Sequence, residues 1–224
     1  MYHGLCRYTC TYNGETNYEN RQLNEYSTFI RRNSALEIIK KIVSRKEETI
    51  EPLISTQTPY GFVTTYRGAE RSFEGALSLY SSGGITYVKR EDVKRNTQWI
   101  DGYKVIFSKA TCEHAGTPDK SGRYRVFSTM RILKPNEICT QSYLVGGFFD
   151  YLSEAEHYLG YLKTCFVRFL MLQLLSTQDI SAEKFRFVPL QDFTRPWTDA
   201  DLYAKYHLTD EEIQFIESMI KPME

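Results

Sequence analysis

Few residues in this chain combine type and spacing in a way that could do chemistry. The segment "EDVK" places Asp92 two residues before Lys94, with Glu74 upstream. Two carboxylates and an ammonium are what a magnesium-dependent nuclease needs, the acids to hold the ion and the lysine to offset charge at the scissile phosphate. An exposed turn explains the same pattern. At the start of the chain His3, Cys6 and Cys10 form an H-x2-C-x3-C cluster, and Cys112 lies two residues from His114. Thiolates and imidazoles are zinc ligands, but neither spacing is that of a zinc knuckle, and small buried thiols are the simpler reading. Five cysteines is an odd number, so one at least stays unpaired, and 224 residues can fold without disulfides. Glycine-rich nucleotide loops, H-E-x-x-H and G-x-S-x-G are all absent from the sequence, and His3, His114, His157 and His207 are scattered. No catalytic residue is assigned.

The bases carry more information. A formal net charge of zero hides thirteen Lys and Arg against seven acids between Tyr60 and Pro135, and three against eight from Gln191 to Glu224. A basic middle beside an acidic end points to an anionic partner for one part of the chain. Bases alternate with aromatic and small polar residues in "TTYRGAERSFEG", "YVKREDVKRNTQW" and "SKATCEHAGTPDKSGRYRV". Arg and Lys suit phosphates, while Thr, Gln and Arg also meet base edges. Arg67, Arg71, Lys89 and Arg90 are candidate phosphate clamps. Lys109 ends a strand and opens a Gly- and Pro-containing loop that carries Lys120 and leads to Arg123 and Arg125; Arg131, Thr140 and Gln141 complete the candidates. Simple solvation of charged loops is the competing explanation. The tail resembles a helix-turn-helix, but its acidity would repel a polyanion, so it is read as a structural cap.

These residues need elements to hold them. Ala35, Leu36, Ile38, Ile39, Ile42 and Val43 recur at helical spacing behind an N-cap at Asn33 or Ser34. "GFVTTYR", "ALSLYSS", "ITYVKR", "YKVIFSKA", "RYRVFSTMRI", "EICTQSYLVGGFF" and later "FRFVPL" read as strands. One long apolar helix is expected over 153–175, opened by a Ser153/Glu156 capping box, and it would support the sheet. Two short tail helices start at Thr198/Asp201 and Thr209/Glu212. No run reaches the length of a membrane span, and the first residues lack a signal-peptide pattern, so an intracellular, cytoplasmic protein without membrane contact is expected.

"GYKVIFSKA", "CTQSYLV", "EAEHYLGYLKTCFVRFLM" and "FVPLQDFTRPWTDADLYAKYHLTDEEIQFIESMIKPM" follow one another in that order. Together they resemble the C-terminal target-recognition region of N6-adenine DNA methyltransferases of type II restriction-modification systems, over essentially the whole chain. "GLCRYTC" followed by "NG" is similar to the closing strand of that family's catalytic domain. The chain has no Pro-Pro dipeptide, and so lacks the tetrapeptide that holds the flipped adenine, and it lacks the loop for S-adenosylmethionine. The resemblance therefore implies a non-catalytic fragment of a restriction enzyme or methylase subunit that recognises double-stranded DNA. No cofactor is expected in this chain, S-adenosylmethionine belonging to the missing catalytic domain. Partners would be DNA and that methyltransferase domain or a partner subunit. The expected fold is α+β: a curved mixed β-sheet target-recognition domain backed by one long helix, with a short helical C-terminal cap. Expected divisions are 1–20 as a remnant of the catalytic domain, 21–59 as a helical connector, 60–190 as the recognition domain and 191–224 as the cap. The alternatives are a restriction endonuclease fragment using Glu74, Asp92 and Lys94, and a partner-binding fragment without DNA binding of its own, marked by an apolar patch near residues 1–30.

Overall fold

A computed structural model of the chain describes residues 4–12, 14–26, 28–112 and 117–223. Along the chain run β1 (Leu5–Tyr12), β2 (Glu15–Gln22), α1 (Asn33–Val43), β3 (Leu77–Ser81), β4 (Gly84–Val88), β5 (Tyr103–Ser108), β6 (Met130–Leu133), β7 (Glu137–Cys139), β8 (Tyr143–Phe149), α2 (Leu152–Lys163), α3 (Cys165–Leu172), α4 (Asp199–Lys205) and α5 (Asp210–Met219). The fold is mixed α+β. The described strands form three small sheets, in orders β1-β2, β4-β3-β7 and β6-β5-β8, where one curved sheet was expected. Among the named strands β3 and β7 pair in parallel and the other pairings are antiparallel. A register shift between Val105 and Ile106 interrupts the antiparallel pairing of β5 with β8.

β1 and β2 are a hairpin in continuous register from Leu5 opposite Gln22 to Tyr12 opposite Glu15. Its turn holds Gly14 at φ 83°, a conformation open to glycine at little cost. The hairpin meets the body through Tyr8, whose hydroxyl donates to the Arg31 carbonyl (2.7 Å), and through buried Arg21. Arg21 lies over the Phe29 ring and donates to Asn33 Oδ1 (2.8 Å) and to the Ile30 carbonyl (3.2 Å). Asn33 is therefore no helix cap. Its side chain is buried and donates to Asn17 Oδ1, while Arg32 occupies the capping position, its guanidinium turned to the Tyr124 hydroxyl (3.4 Å) and not to the helix end.

The expected long helix is two helices. Thr164 between them is extended (φ −60°, ψ 150°), and its hydroxyl accepts from Val167 N (3.2 Å) to cap α3. The Asp199 carboxylate, arriving from α4, accepts from Cys165 N (2.9 Å) and Phe166 N (2.8 Å). The new N-terminus is thus satisfied twice over. The Ser153/Glu156 box does not form, because α2 starts at Leu152 with no side-chain cap. Both tail boxes do form. α4 ends with His207 at φ 51°, where His207 N donates to Ala204 O and Leu208 N to Tyr203 O, the paired bonds of a Schellman ending.

Other expected strands shorten or vanish. "GFVTTYR" is a series of turns, "FRFVPL" follows a 3-10 turn that ends at its Phe185 and holds one bridge, between Pro189 and Thr49, and only the Met130–Ile132 end of "RYRVFSTMRI" lies in a strand.

Two hydrophobic cores lie against the β6-β5-β8 sheet. The larger gathers α1, Val105, Phe107, Leu144, α2, α3 and the tail residues Leu202, Tyr203, Tyr206, Ile216, Met219 and Ile220. The smaller gathers Tyr60, Phe62, β3, Val88, Ile100, Ile106, Leu133, Ile138 and Val145. Residues of the expected connector (21–59) and cap (191–224) thus share one core with the sheet. Gly147 lets that sheet approach its helix: a Cβ there would stand 3.1 Å from the Tyr158 ring of α2, and the Tyr158 hydroxyl donates to Gly146 O (2.6 Å).

Candidate nucleic-acid interface

The eleven residues singled out for DNA contact separate by what their side chains already do. Arg67, Arg71, Lys89, Arg90, Lys120, Arg123, Arg125 and Arg131 are exposed. Arg67 lies against Gly83 at the β3–β4 turn and donates to the Thr64 and Tyr66 carbonyls, both at 2.9 Å. Lys89 pairs with Glu91 (3.3 Å), and Arg90 engages both oxygens of Asp101 in a fork whose guanidinium holds that carboxyl below its usual range. Lys109 is mostly covered and pairs with Asp179 (3.3 Å), while its backbone ties the Ser142 carbonyl to Ile180 N. Arg131, on β6, stacks over the Tyr80 ring, whose hydroxyl donates to Glu137.

Thr140 has none of its surface exposed, with its hydroxyl on Ser142 and its backbone N donating to the Tyr80 carbonyl. This DNA-contact candidate is thus buried in the junction between β7 and β8. Gln141 is half-buried, and its backbone N donates to the Phe62 carbonyl (2.9 Å).

Lys120 and Arg123 stand on a closed turn. Asp119 N donates to the Arg123 carbonyl (2.9 Å), and Gly122 takes φ 79°. Asp119 Oδ1 accepts from Ser121 Oγ, Ser121 N and Arg123 N, which pulls its carboxyl down to about 2. Of the loop before it, residues 113–116 lie outside the described residues.

Sequence reasoning missed the residue that organises the basic end of this region. Arg168, in the middle of "CFVRFLML", is fully buried. Its Nε donates to the Lys163 (3.0 Å) and Thr164 (3.2 Å) carbonyls, and its Nη1 to those of Arg125 (3.3 Å) and Lys221 (2.6 Å). One guanidinium thus draws together the backbones of three other cationic residues. A cavity of about 230 Å³ opens beside it, lined among the described residues by Arg125, Lys163, Ser128, Thr129 and the apolar Phe127, Met130 and Met223. The signal was available: a cation inside an otherwise apolar helix must find acceptors. A larger cavity of about 450 Å³ beside β2 mixes Glu19 and Glu25 with Arg21 and Lys40, and Lys40 pairs with Glu25 (3.8 Å), so it favours no sign of ligand.

The residues considered for metal chemistry have local uses. Asp92 Oδ2 accepts from Lys89 N (3.1 Å), Lys94 donates to the Glu91 carbonyl (3.2 Å), and Glu74 is exposed. Among the described residues no group of three or more His, Cys, Asp or Glu could hold a metal ion. Cys6 and Cys10 are half-buried on β1, Cys112 is exposed, and Cys139 and Cys165 are buried; His3 and His114 lie outside the described residues. Asp192 accepts from Thr194, and Trp197 donates to the Asp192 carbonyl beneath the stacked Arg195 guanidinium (3.7 Å), so these residues order a turn.

No helix among the described residues is long and apolar enough to cross a membrane. In comparison with known proteins, no family model matches the chain and no curated protein matches it.

Proposed function

We propose that the chain is a non-catalytic module that recognises double-stranded DNA for a restriction-modification enzyme. The observation that carries this reading is the set of exposed cations Arg71, Lys120, Arg123, Arg125 and Arg131, which stand on turns and on a short edge strand above a closely packed core. Rigid support beneath mobile-length side chains suits phosphate and groove contacts. The paired cations Lys89, Arg90 and Lys109 are secondary, because each must give up an acid before it can take a phosphate. Methyl transfer and S-adenosylmethionine belong, in this reading, to a separate methyltransferase domain. The two three-stranded sheets serve as a divided form of the curved recognition framework.

Binding to a mixed-sequence duplex is the test, measured from about 50 to 200 mM salt with single-stranded DNA as control. Lys120→Gln and Arg123→Gln should each reduce the slope of log affinity against log salt by about 0.9, and Lys89→Gln by less. Duplex affinity that is absent at the lowest salt, or indifferent to Lys120 and Arg123 alike, overturns the reading.

A second reading has its own observation. Leu5 (65% exposed) and Tyr18 (58%) stand in the open on the β1–β2 hairpin, within the region where a partner-binding fragment would show apolar surface. It predicts a chain that is inert toward DNA alone and binds it only when a methyltransferase subunit is added.

A further inference from the structure

We infer that the open edge of β1 pairs antiparallel with the same edge of a second copy of this chain, about a two-fold axis at Tyr8. The inference does not depend on DNA binding and is tested without DNA.

The hairpin ladder leaves that edge unpaired. Its register, continued by the bond from Leu23 N to the Gly4 carbonyl (3.1 Å), turns the backbone groups of Cys6, Tyr8 and Cys10 toward β2 and those of Leu5, Arg7, Thr9 and Thr11 outward. Among the described residues those outward groups have no backbone partner, and all four residues are exposed. α1 lies on the β2 side: Asn17 and Arg21 bond to Asn33, and Glu19 and Gln22 share a cavity with Leu36 and Lys40. β1 also lacks the devices that blunt an edge. "LCRYTCTY" has no proline, no bulge and one charge, Arg7, whereas β2 carries Glu15, Glu19 and Arg21. Self-pairing then selects one register. Centred on Tyr8, it sets Leu5 opposite Thr11 and Arg7 opposite Thr9 of the other copy, and the outward groups meet in about eight backbone hydrogen bonds. Centring on Arg7 would face like charges, and centring on Thr9 would run Leu5 past the strand end to Asn13. The product is a two-fold, four-stranded sheet in place of a ribbon that is marginal alone. The same register brings thiols together. Cys6 and Cys10 are free and half-buried, and along one strand they stand roughly 13 Å apart, too far to bond to each other. Across the axis Cys6 of one copy faces Cys10 of the other in a non-hydrogen-bonded pair, with Cα atoms roughly 4.5 Å apart, within disulfide range.

Sedimentation of the full chain under reducing conditions should show a concentration-dependent dimer. Thr9→Lys sets an ammonium opposite Arg7 of the other copy and should raise the dissociation constant about fivefold or more. Thr9→Pro should abolish the dimer, and Gln22→Lys, on the β2 edge, should leave it unchanged. If Thr9→Pro does not fold, Thr9→Lys carries the test. Oxidation with diamide reads the register, in a chain whose exposed Cys112 is replaced by Cys112→Ser. Each disulfide forms as two thiols pass two protons and two electrons to the N=N bond of diamide, which becomes a hydrazine. Mass spectrometry should find Cys6 joined to Cys10 in a species of twice the chain mass. Neither Cys6→Ser nor Cys10→Ser should cross-link alone, and a mixture of the two should, because one chain then offers Cys10 and the other Cys6. A chain that is monomeric at every concentration, a dimer indifferent to both Thr9 variants, or cross-links that form as readily in either single cysteine variant, overturns the inference.

Discussion

Lys104 shows how far a residue's identity can mislead before its surroundings are known. In the sequence it is one of the thirteen bases that make the middle of the chain positive. In the fold it has no exposed surface, and its ammonium donates to the carbonyls of Lys134 (2.8 Å), Gly102 (2.9 Å) and Ile100 (3.3 Å). DNA never meets it. Burial pulls its pKa from 10.5 down to about 8, the nearby acid Glu137 only partly opposing this. Below about pH 8 both folded and unfolded chains carry the proton, and the cost of burying the charge is present in full. Between pH 8 and 10.5 the unfolded chain holds a proton that the folded chain has released, so the contribution of this group to stability rises with pH. The rise is at most about 1.4 kcal/mol per pH unit. Buried Cys139 and Tyr60 act in the opposite sense, since burial raises their pKa values and keeps them protonated where the unfolded chain ionises. The informative quantity is therefore the unfolding free energy of the natural chain minus that of Lys104→Met. It should increase from about pH 7.5 to 9.5 in urea titrations. A difference that stays flat would mean that Lys104 remains charged in the fold.

Among the elements, those written in local signals were legible and those made by distant contacts were not. The tail capping boxes pair residues three apart, and both form where Thr198/Asp201 and Thr209/Glu212 stand. α1, β3, β4, β5 and β8 declare themselves through periodicity or β-rich runs. β2 does not, because "ETNYENRQ" has no apolar face and is a strand only through its full register with β1. Tyr124, expected in a strand with Arg123 and Arg125, instead bridges Ile220, and Val126 takes φ 71°, which ends regular pairing there. The break at Thr164 is the clearest case: apolar spacing runs through it, and the group that stabilises the new N-terminus, Asp199, comes from the next helical unit. From sequence Asp199 reads only as a first-turn acid of α4, the position that Asp210 holds in α5. Its second use predicts a difference between the two. Asp199→Ala should cost about 1–2 kcal/mol, the range of a lost cap combined with a lost charge at a helix end. Asp210→Ala should cost only a few tenths of a kcal/mol. Equal losses in urea unfolding would show that the Asp199 contact does not hold α3. The candidate interface divides in the same way: the exposed bases were visible as charge, whereas Arg168 and Lys163 acquire meaning only when the carbonyl network is known.

At the scale of the molecule, the question is whether two cores make one cooperative unit. Both rest on the sheet β6-β5-β8, and neighbouring residues of a single strand supply them: Phe107 points into the larger core and Ile106 into the smaller, as Leu144 and Val145 do on β8. A strand cannot melt on one face only, so loss of either core removes the floor of the other. The two tryptophans report on this separately. Trp99 packs on the smaller core, edge-on to Tyr60 at 6.4 Å, and Trp197 packs on the larger. In Trp99→Phe and in Trp197→Phe, the remaining tryptophan's fluorescence and the far-ultraviolet circular dichroism should unfold at the same urea concentration. The stricter test places Ile106→Ala in the Trp99→Phe background. That truncation empties space only in the smaller core and should cost about 2–4 kcal/mol. If the sheet couples the halves, the Trp197 transition, on the far side of β5, moves by the full amount. A Trp197 midpoint that stays in place while Ile106→Ala unsettles the smaller core would mean that the basic loops ride on a unit able to open by itself, and that the proposed phosphate contacts on the two cores need not be made together.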